Sequence, residues 1–531
     1  MVRTALLRTL VFGLSSAAAL RTSPAVGFGK QSARSADAKL SPAPSIFRWA
    51  EGQGVECGGA LSVRDFDGVR GVATDSELAP GTRVLAVPSS LALQVTTEQP
   101  APKWADKEVW ASSKWYVRLA LRLLHEKEQG AASVLQPWLE QLPDSFDTPF
   151  FWSDEQLEAL RYRPLRESVE KQRAEWAAAA RQLAQKAGAG AGPSDDELFW
   201  ALSCVRSRAF SGPWAGGSIK SSGSQLAFAV LLAAVWVILG LGPADAAANG
   251  VLAVLAFILA NDLLFARVSR ARRYVICPVV DFCNHHSSQA GVEVSYEYFA
   301  DAFGVVLQRG IAAGGEVRIS YGSRASDQLL QWYGFVEADN PHDAFELRQD
   351  DFIVALAAAA PYEPANVQAL RGAQLTEATT TLTFGRGGVD ARTLRVARLL
   401  LHPQAAGASA GEEGALALAD EVATLRAVAA VADAQAESIG DLHAEQAVLR
   451  EPAAGGGKEE EEGAAAARLA RQFRVEKLKV LHACAAATRA RADGSEAAGR
   501  LLPPTPSDAE AAPAAAGRPS LPGLGLSRIR E

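Results

Sequence analysis

Two long apolar runs in the middle of the chain constrain its fold more than any other feature. Residues 226–242 contain no charged residue, and residues 250–266 are interrupted only by Asn261-Asp262. Helices this apolar are buried in a protein core or in a membrane. Basic residues flank the pair on its two outer sides: Lys220, Arg267, Arg270, Arg272 and Arg273. The sequence therefore predicts an apolar helical hairpin within an insert at 212–273. It predicts membrane association through 226–266, with two buried helices of a soluble domain as the alternative.

The insert divides a strand-rich pattern into two parts. Before it, residues 47–95 contain short alternating segments such as "RVLAVP" and a Pro-Gly turn, which are typical of a small antiparallel sheet. After it, "YVICPVVDF", "VEVSYEYF" and "EVRISYG" within 274–336 are strand-like again. Residues 104–210 have helical periodicity instead, with start signals such as Ser153-Asp154-Glu155. The pattern predicts a β-rich domain with a helical insertion at 104–210.

Both ends of the chain differ in composition from this central part. The first 36 residues contain five basic residues and no Asp or Glu, which predicts a targeting or disordered segment at 1–44. We expect import into an organelle, in the first place a plastid, with a cytoplasmic protein as the alternative. Beyond 344 the sequence is rich in Ala, Leu and Glu, which predicts a helical domain at 344–499 with a low-complexity segment at 450–467. The Pro- and Ala-rich residues 500–531 predict a disordered tail.

Charge and cysteine content exclude two classes of function. The net charge of −7 gives no broad basic surface for a nucleic acid. The five cysteines are odd in number and have no CxxC spacing, so we expect reduced thiols and no structural zinc. Oligomeric state has no signal in the sequence.

The segment "CPVVDFCNHHSS" (277–288) carries the densest cluster of functional side chains. Three interpretations apply to it: a metal site, a hydrolase acid/base pair, or part of a cofactor cradle. Adjacent histidines in an extended segment point to opposite faces, so His285 and His286 do not easily share one ion. HExxH is missing from the sequence, and the one GxSxG match, at 407–411, lies in an Ala- and Gly-rich stretch far from this segment. We therefore predict no metal and favour the cofactor cradle.

Four motifs occur in order on either side of the insert. They are "GVRGVATDSELAPGTRVLAVP" (68–88), "VRSRAFSG" (205–212), "VVDFCNHHS" (279–287) and the segment from Tyr321 through Tyr333-Gly334-Phe335 to "NPHD" (340–343). Together they resemble the SET-domain protein methyltransferases, specifically the Rubisco large-subunit lysine methyltransferase-like branch. A single Asn-His pair would be weak evidence, whereas four ordered motifs are a specific pattern.

The resemblance implies a fold, a cofactor and a partner. The implied fold class is α+β, with a β-rich SET domain at 45–343 in which the Asn-His strand crosses the Tyr segment in a knot-like arrangement. An all-α substrate-binding domain at 344–499 would follow. The implied cofactor is S-adenosyl-L-methionine, and the implied partner is a protein with a target lysine. No Cys-rich segment follows Tyr321, as in this branch, which carries no structural zinc.

The resemblance also implies roles for individual residues. Methyl transfer from a sulfonium needs a neutral amine, in-line alignment and exclusion of water. Tyr321 is expected to be catalytic, with its hydroxyl beside the transferring methyl, and Arg208 to bind the carboxylate of the cofactor through its planar fork. The expected cofactor-binding residues are Val69, Arg70, Gly71, Arg208, Asp281, Asn284, His285 and Tyr321, and the expected substrate-binding residues are Phe210, Tyr333 and Phe335.

Each of these residues also has a purely structural alternative. Tyr321 and Tyr333 could be core aromatics, Arg208 a surface salt-bridge partner, and Asp281 a turn-stabilising residue. Departures from the family pattern leave the substrate open, among them Gly212 in a place that is often basic. Phe210 resembles the lysine-modifying members. Protein-histidine methylation and a catalytically silent protein-binding scaffold stay open as alternatives to lysine methylation.

Overall fold

The computed structural model describes most of the chain in separate ranges. These are residues 19–21, 44–66, 68–95, 101–186, 192–212, 223–260, 273–297, 300–373, 375, 380–403, 416–450 and 458–504. The chain divides into two compact units. The first consists of Met1–Asn340 with Glu445–Arg474, and the second of Pro341–Ala444 with Val475–Glu531.

The strands of the described residues are short and lie mostly in the first unit. They are β1 (Ala19–Arg21), β2 (Glu56–Cys57), β3 (Leu61–Phe66), β4 (Val69–Thr74), β5 (Arg83–Pro88), β6 (Leu93–Gln94), β7 (Phe210–Gly212), β8 (Arg273–Ile276), β9 (Asn284–His285), β10 (Val292–Glu297), β11 (Ala302–Leu307), β12 (Arg318–Ile319), β13 (Ala344–Arg348), β14 (Thr381–Gly385) and β15 (Gly388–Val389). The largest sheet has the order β2-β5-β11-β10-β12-β9, with β1 also paired to β10. Two smaller sheets of this unit are the β3–β4 hairpin and β6-β8-β7.

Helices fill the intervals between these strands and dominate the second unit. They are α1 (Pro44–Gly52), α2 (Lys107–Ser112), α3 (Trp115–Gln129), α4 (Gln136–Leu139), α5 (Asp154–Glu158), α6 (Arg163–Lys186), α7 (Asp195–Arg208), α8 (Gly223–Ile238), α9 (Ala244–Leu259), α10 (Ser326–Tyr333), α11 (Gln349–Ala359), α12 (Val367–Gly372), α13 (Ala391–Leu401), α14 (Leu418–Ile439), α15 (Leu442–Arg450) and α16 (Lys458–Ala498). Capping boxes at Ser153 and Ser194 begin α5 and α7, so these start signals are legible in the sequence. The α+β fold class is confirmed.

Parallel pairing of two very short strands places the Asn-His segment beside the strand that leads to Tyr321. Asn284 lies opposite Arg318, and His285 lies opposite Ile319. Parallel strands cannot be joined by a tight turn, so the chain from β9 to β12 passes through the β10–β11 hairpin first. This route brings two distant motifs into direct contact.

The apolar runs form the two helices α8 and α9, which pack against each other. We call residues 223–260 the apolar hairpin. Many of its large side chains are exposed, among them Ile238 at 80%, Phe257 at 72% and Phe228 at 60%. Soluble surfaces seldom expose so many large apolar groups together.

The described residues give no support to a membrane span in this region. No helix there combines the length and the apolar character that a membrane span needs. Both α8 and α9 have 16 residues. At about 1.5 Å per residue, each helix is shorter than the bilayer core of about 30 Å. The chain turns at Gly240, which has a positive φ of 61°, and Pro243 precedes α9.

The C-terminal region is largely helical, as predicted, but it also contains a sheet. The strands β13, β14 and β15 form a small antiparallel sheet. The segment "TLTFG" alternates between Thr and apolar residues, and Leu382 and Phe384 are fully buried. Part of the expected low-complexity segment is helical as well, because α16 begins at Lys458. Its run of Glu and Ala residues favours a helix, particularly with acidic side chains at the N-terminus.

The two terminal predictions fall mostly outside the described residues. Of the expected targeting segment 1–44, Ala19–Arg21 is described and pairs antiparallel with Ser295–Glu297. Of the expected tail, residues 500–504 are described, and the carbonyl of Leu502 accepts a hydrogen bond from Arg491 at 2.7 Å. The rest of both segments lies outside the described ranges, so plastid import and tail disorder stay predictions.

Candidate active site

The predicted site residues come from seven structural elements or segments of the first unit. Val69, Arg70 and Gly71 lie on β4, Arg208 ends α7, Phe210 begins β7, Asp281 lies in a 3-10 turn, Asn284 and His285 form β9, Tyr321 follows β12, and Tyr333 ends α10 just before Phe335. Hydrogen bonds, ion pairs and ring contacts join most of them into one cluster. Their functional roles stay predictions, whereas their positions can be described directly.

Asn284 joins the β3–β4 hairpin to the large sheet. Its Nδ2 donates to the carbonyl of Arg70 at 3.0 Å and to Oε1 of Glu316 at 2.7 Å. A Cβ on Gly71 would lie 2.7 Å from this Nδ2 and 2.5 Å from Glu316 Oε1, which is too close. A side chain at position 71 would therefore displace the ends of Asn284 and Glu316 from their present hydrogen bond. Val69, two residues earlier on β4, is half-buried and pairs with Phe66.

Arg208 and Asp281 form a fully buried ion pair. Arg208 Nε lies 3.3 Å from Asp281 Oδ2, and both side chains have at most 2% exposure. The indole Nε1 of Trp138 donates to both oxygens of Asp281, at 3.0 and 3.1 Å. The Nε group of Arg208 makes no hydrogen bond within the described residues, although it lies within ion-pair distance. We take the pair as a charge contact without hydrogen-bond geometry.

A second arginine makes the local charge positive. Burial, and then the nearby charge of Arg208, lower the pKa of Arg70 to about 10, while Asp281 acts in the opposite direction. The guanidinium of Arg70 donates to the carbonyl of Gln141 at 2.7 Å and lies 4.8 Å over the ring of Phe282. Two guanidinium groups thus lie near one carboxylate in a largely buried setting, which favours a further anion.

Tyr321 is fully buried, and both its hydroxyl and its backbone N–H make hydrogen bonds. Its hydroxyl donates to the carbonyl of Cys283 at 3.1 Å, and its backbone N–H donates to Nδ1 of His285 at 3.0 Å. Burial, and then the neighbouring Tyr333, raise the pKa of Tyr321 well above its usual value. The hydroxyl therefore keeps its proton at neutral pH and can act as a donor or a dipole, not as a phenolate.

Aromatic rings surround Tyr321. Tyr333 stacks on it with ring centres 4.9 Å apart, Phe335 lies 6.5 Å away, and His285 stacks at 4.7 Å. The glycine between Tyr333 and Phe335 has a left-handed φ of 73° and ends α10. Phe210 is also buried and lies on β7 opposite Val275. The rings of Tyr333, Phe335 and His285 form an aromatic wall that shields the phenol of Tyr321 from solvent.

Three residues of this cluster were missed by sequence reasoning. Trp138 is 143 residues from Asp281, and nothing in its local sequence marks it as a partner. Glu316 accepts from Asn284, and Glu337 contacts His285 and Ser287. Glu337 follows the Tyr333-Gly334-Phe335 motif by two residues, so its place in that motif was a signal that could have been used.

Comparison with known proteins supports the fold at the level of structure. No family model and no curated protein matches the sequence. Solved structures of Rubisco LSMT match 86% of this chain and 93% of theirs. They include the SET domain of LSMT bound to lysine and AdoHcy (TM-score 0.55, 16% identity), Rubisco LSMT bound to sinefungin and monomethyllysine (0.54, 16%) and Rubisco LSMT bound to AdoMet (0.54, 15%).

These matches define the fold class of the chain. It has the SET methyltransferase fold, and the resemblance read from the four motifs is confirmed at that level. The particular fold it shares is that of Rubisco LSMT, at an identity low enough that only the fold is transferred.

The pKa of Asp281 gives a prediction for the stability of the protein. Burial raises it from its usual 3.8 to about 6, although Arg208 and Trp138 oppose this effect. Because the folded-state pKa exceeds the unfolded one, folding stability is lost as pH rises through this range. We expect the free energy of unfolding to fall by up to about 3 kcal/mol between pH 4 and pH 7, relative to the Asp281→Asn variant.

Urea denaturation at each pH measures this difference. Asp154→Asn is the matched control, since the Asp154 side chain is 93% exposed. Its unfolding free energy should follow the same pH profile as that of the wild type. Parallel pH profiles for the wild type and Asp281→Asn would contradict the raised pKa.

Proposed function

We propose that this protein is an S-adenosyl-L-methionine-dependent protein-lysine N-methyltransferase. The observation that carries the proposal is the convergence of Arg208, Asn284 and Tyr321 from distant segments of a SET fold. Its support from comparison is that the similar structures are those of Rubisco LSMT bound to AdoMet, AdoHcy and lysine or methylated lysine. Without the convergence, the fold alone would support no particular activity.

The residues present fit this cofactor. Arg208 has a buried Nε that makes no hydrogen bond within the described residues, and a carboxylate could accept from it. Together with Arg70 and Asp281, it gives the positive charge that would bind a carboxylate. Asn284 and the β4 backbone at Arg70 would hold the remaining polar groups. When bound, the cofactor supplies an electrophilic methyl group.

The aromatic wall fits a lysine side chain. Tyr321, Tyr333 and Phe335 would surround the alkyl chain and exclude water. Desolvation there would lower the pKa of the lysine amine, which favours the neutral nucleophile. The hydroxyl of Tyr321 is fixed by the Cys283 carbonyl and keeps its proton, so it offers a pre-oriented dipole beside the reacting atoms.

Two other functions stay open. Histidine methylation would use the same cofactor site, and product analysis on a substrate whose lysines are replaced by arginine separates it from lysine methylation. A silent scaffold would bind proteins through its helices without binding the cofactor. Calorimetric titration that detects no cofactor binding would favour the scaffold.

Loss of the Tyr321 hydroxyl should stop methyl transfer. In Tyr321→Phe we expect kcat to fall by about a hundredfold or more, since a pre-oriented polar group beside the reacting atoms is lost. Cofactor affinity should be unchanged because Arg208 and Asn284 are intact. Radiolabelled methyl transfer and calorimetry measure the two quantities.

Tyr362→Phe is the matched control. It removes a tyrosine hydroxyl that donates to the carbonyl of Ile353 at 2.8 Å in the second unit. Equal kcat in wild type and Tyr321→Phe would refute the catalytic role.

We also propose that the apolar hairpin rests in the surface of an anionic bilayer without crossing it. The exposed side chains of α8 cover most of its circumference, apart from a half-buried face at Leu226, Ala229 and Ala233, and this pattern suits lipid better than one protein face. Lys220 and the arginines after Ala266 would complement acidic headgroups. Asp245 in the first turn of α9 would stay at headgroup level, which limits the depth of insertion.

Vesicle flotation tests this contact. The full chain should float with phosphatidylcholine vesicles that contain phosphatidylglycerol, and the triple variant Phe228→Ser, Leu231→Ser, Ile238→Ser should not. Val354→Ser is the control, since Val354 is 72% exposed outside the hairpin. Wild-type protein that stays at the bottom of the gradient, or that self-associates through the hairpin without lipid, would refute the proposal.

A further inference from the structure

Glu337 is the hub of a hydrogen-bond network behind the catalytic candidate Tyr321. Its Oε1 accepts from the backbone N–H of Ser287 at 2.8 Å, and its Oε2 accepts from the Ser287 hydroxyl at 2.5 Å. The Nε2 of His285 lies 3.3 Å from Oε2. The carboxylate side chain is 11% exposed, and the imidazole of His285 is fully buried. Both oxygens of Glu337 are therefore engaged as acceptors.

The position of the hydrogen on His285 follows from its two neighbours. Its Nδ1 accepts the backbone N–H of Tyr321 at 3.0 Å, so Nδ1 must carry a lone pair. The ring hydrogen then lies on Nε2, which faces Oε2 of Glu337 and the Ser287 hydroxyl at 3.1 Å. A carboxylate that faces one ring nitrogen of an imidazole thus favours the hydrogen on that nitrogen and leaves the other nitrogen free to accept a hydrogen bond.

We propose that Glu337 is a positioning residue that holds His285 in its Nε2–H tautomer and thereby fixes the backbone of Tyr321. This inference rests on the proposed function for the role of Tyr321 in methyl transfer. The contacts run from the carboxylate of Glu337 to the imidazole of His285 and on to the backbone N–H of Tyr321. In each contact a donor faces an acceptor. The stacking of His285 on Tyr321 at 4.7 Å means that a displaced imidazole would also displace the phenol.

An amide at position 337 cannot replace the carboxylate. Glutamine has one acceptor oxygen, whereas both oxygens of Glu337 accept hydrogen bonds from Ser287. In one orientation its NH2 group would face the backbone N–H of Ser287, so that two donors would meet. In the other, the NH2 group would donate to Nε2 of His285 and move the ring hydrogen to Nδ1, against the N–H of Tyr321. The first orientation loses the hydrogen bond from the Ser287 N–H, and the second loses the link from His285 to Tyr321, as when an orienting carboxylate becomes an amide.

The carboxylate is available as an acceptor over a wide pH range. Burial would raise the pKa of Glu337, but hydrogen bonds from His285 and Ser287 more than offset this and hold the pKa at about 2. The neighbouring His286 uses its Nδ1 to accept the backbone N–H groups of Ser288 and Gln289, at 3.3 and 3.2 Å. Its Nδ1 also lies 3.2 Å from Oε1 of Glu337. His286 thus stabilises the turn after β9, whereas the backbone amide of Tyr321 donates to His285.

The tautomer of His285 can be observed directly in the full chain. Selective isotope labelling of histidine rings, with His285→Gln to assign the signal, distinguishes Nε2–H from Nδ1–H by NMR. We expect Nε2–H in the wild type and a shift to Nδ1–H, or a mixture, in Glu337→Gln. Ser287→Ala and Glu128→Gln should retain Nε2–H. The first leaves the carboxylate in place, and the second changes an exposed glutamate near His125.

Three outcomes would overturn the tautomer claim. They are Nδ1–H in the wild type, an unchanged tautomer in Glu337→Gln, or loss of the Nε2–H form in Ser287→Ala. Nδ1–H in the wild type overturns the claim even if Glu337→Gln does not fold.

Turnover supplies the second readout. In Glu337→Gln we expect kcat to fall by about a hundredfold, because a small displacement of the reacting group is costly. Cofactor affinity should be unchanged. A wild type that binds no cofactor and transfers no methyl group would end the proposed function and leave the tautomer result standing. An active wild type with undiminished kcat in Glu337→Gln would end the positioning role.

Discussion

The site depends on the parallel pairing of two two-residue strands, β9 and β12. This pairing sets Asn284 and His285 beside Arg318 and Ile319. The side chain of Asn284 then reaches the β3–β4 hairpin through the space beside Gly71. Nδ1 of His285 accepts a hydrogen bond from the backbone N–H of Tyr321. A shift of one residue in this register would turn both side chains to the opposite face. The two motifs are separated by a β-hairpin in sequence and meet only through this pairing.

Burial of charge is the second constraint on the site. Arg208, Asp281 and Arg70 lie in a low-dielectric interior, where an unpaired charge would cost several kcal/mol. Asp281 offsets part of the positive charge and is itself held by the indole of Trp138. The excess positive charge is unfavourable until an anion joins it. A ligand with a carboxylate would therefore stabilise the protein as it binds.

Much of this arrangement could be predicted from the sequence because its residues lie in contiguous motifs. Gly71, Asn284 and Tyr321 occur in short segments that the resemblance to the SET-domain methyltransferases identified. Trp138 could not be predicted, since its contact with Asp281 depends on tertiary packing across 143 residues. Val279 was equally hidden: this buried valine has a positive φ of 64° just before the Asp281 turn, a conformation that β-branched residues rarely adopt.

The helical regions show a different limit of sequence reasoning. Hydrophobicity alone identified the two apolar helices but not their bounds, because α8 ends at Ile238 just before Gly240 and α9 begins at Ala244 after Pro243, ahead of the apolar run at 250. Composition also marked 450–467 as low-complexity, although its Glu and Ala residues form part of α16 from Lys458 onward. Local propensity and packing decide such boundaries, and composition does not.

The central claim is that Arg208, Asn284 and Tyr321 surround one ligand. A crystal structure of the full chain grown with S-adenosylhomocysteine tests it most directly. The account predicts the carboxylate of the ligand at the Arg208 guanidinium and its sulfur beside the Tyr321 phenol. Ligand density elsewhere on the protein, or crystals that contain no ligand at saturating concentration, would contradict it.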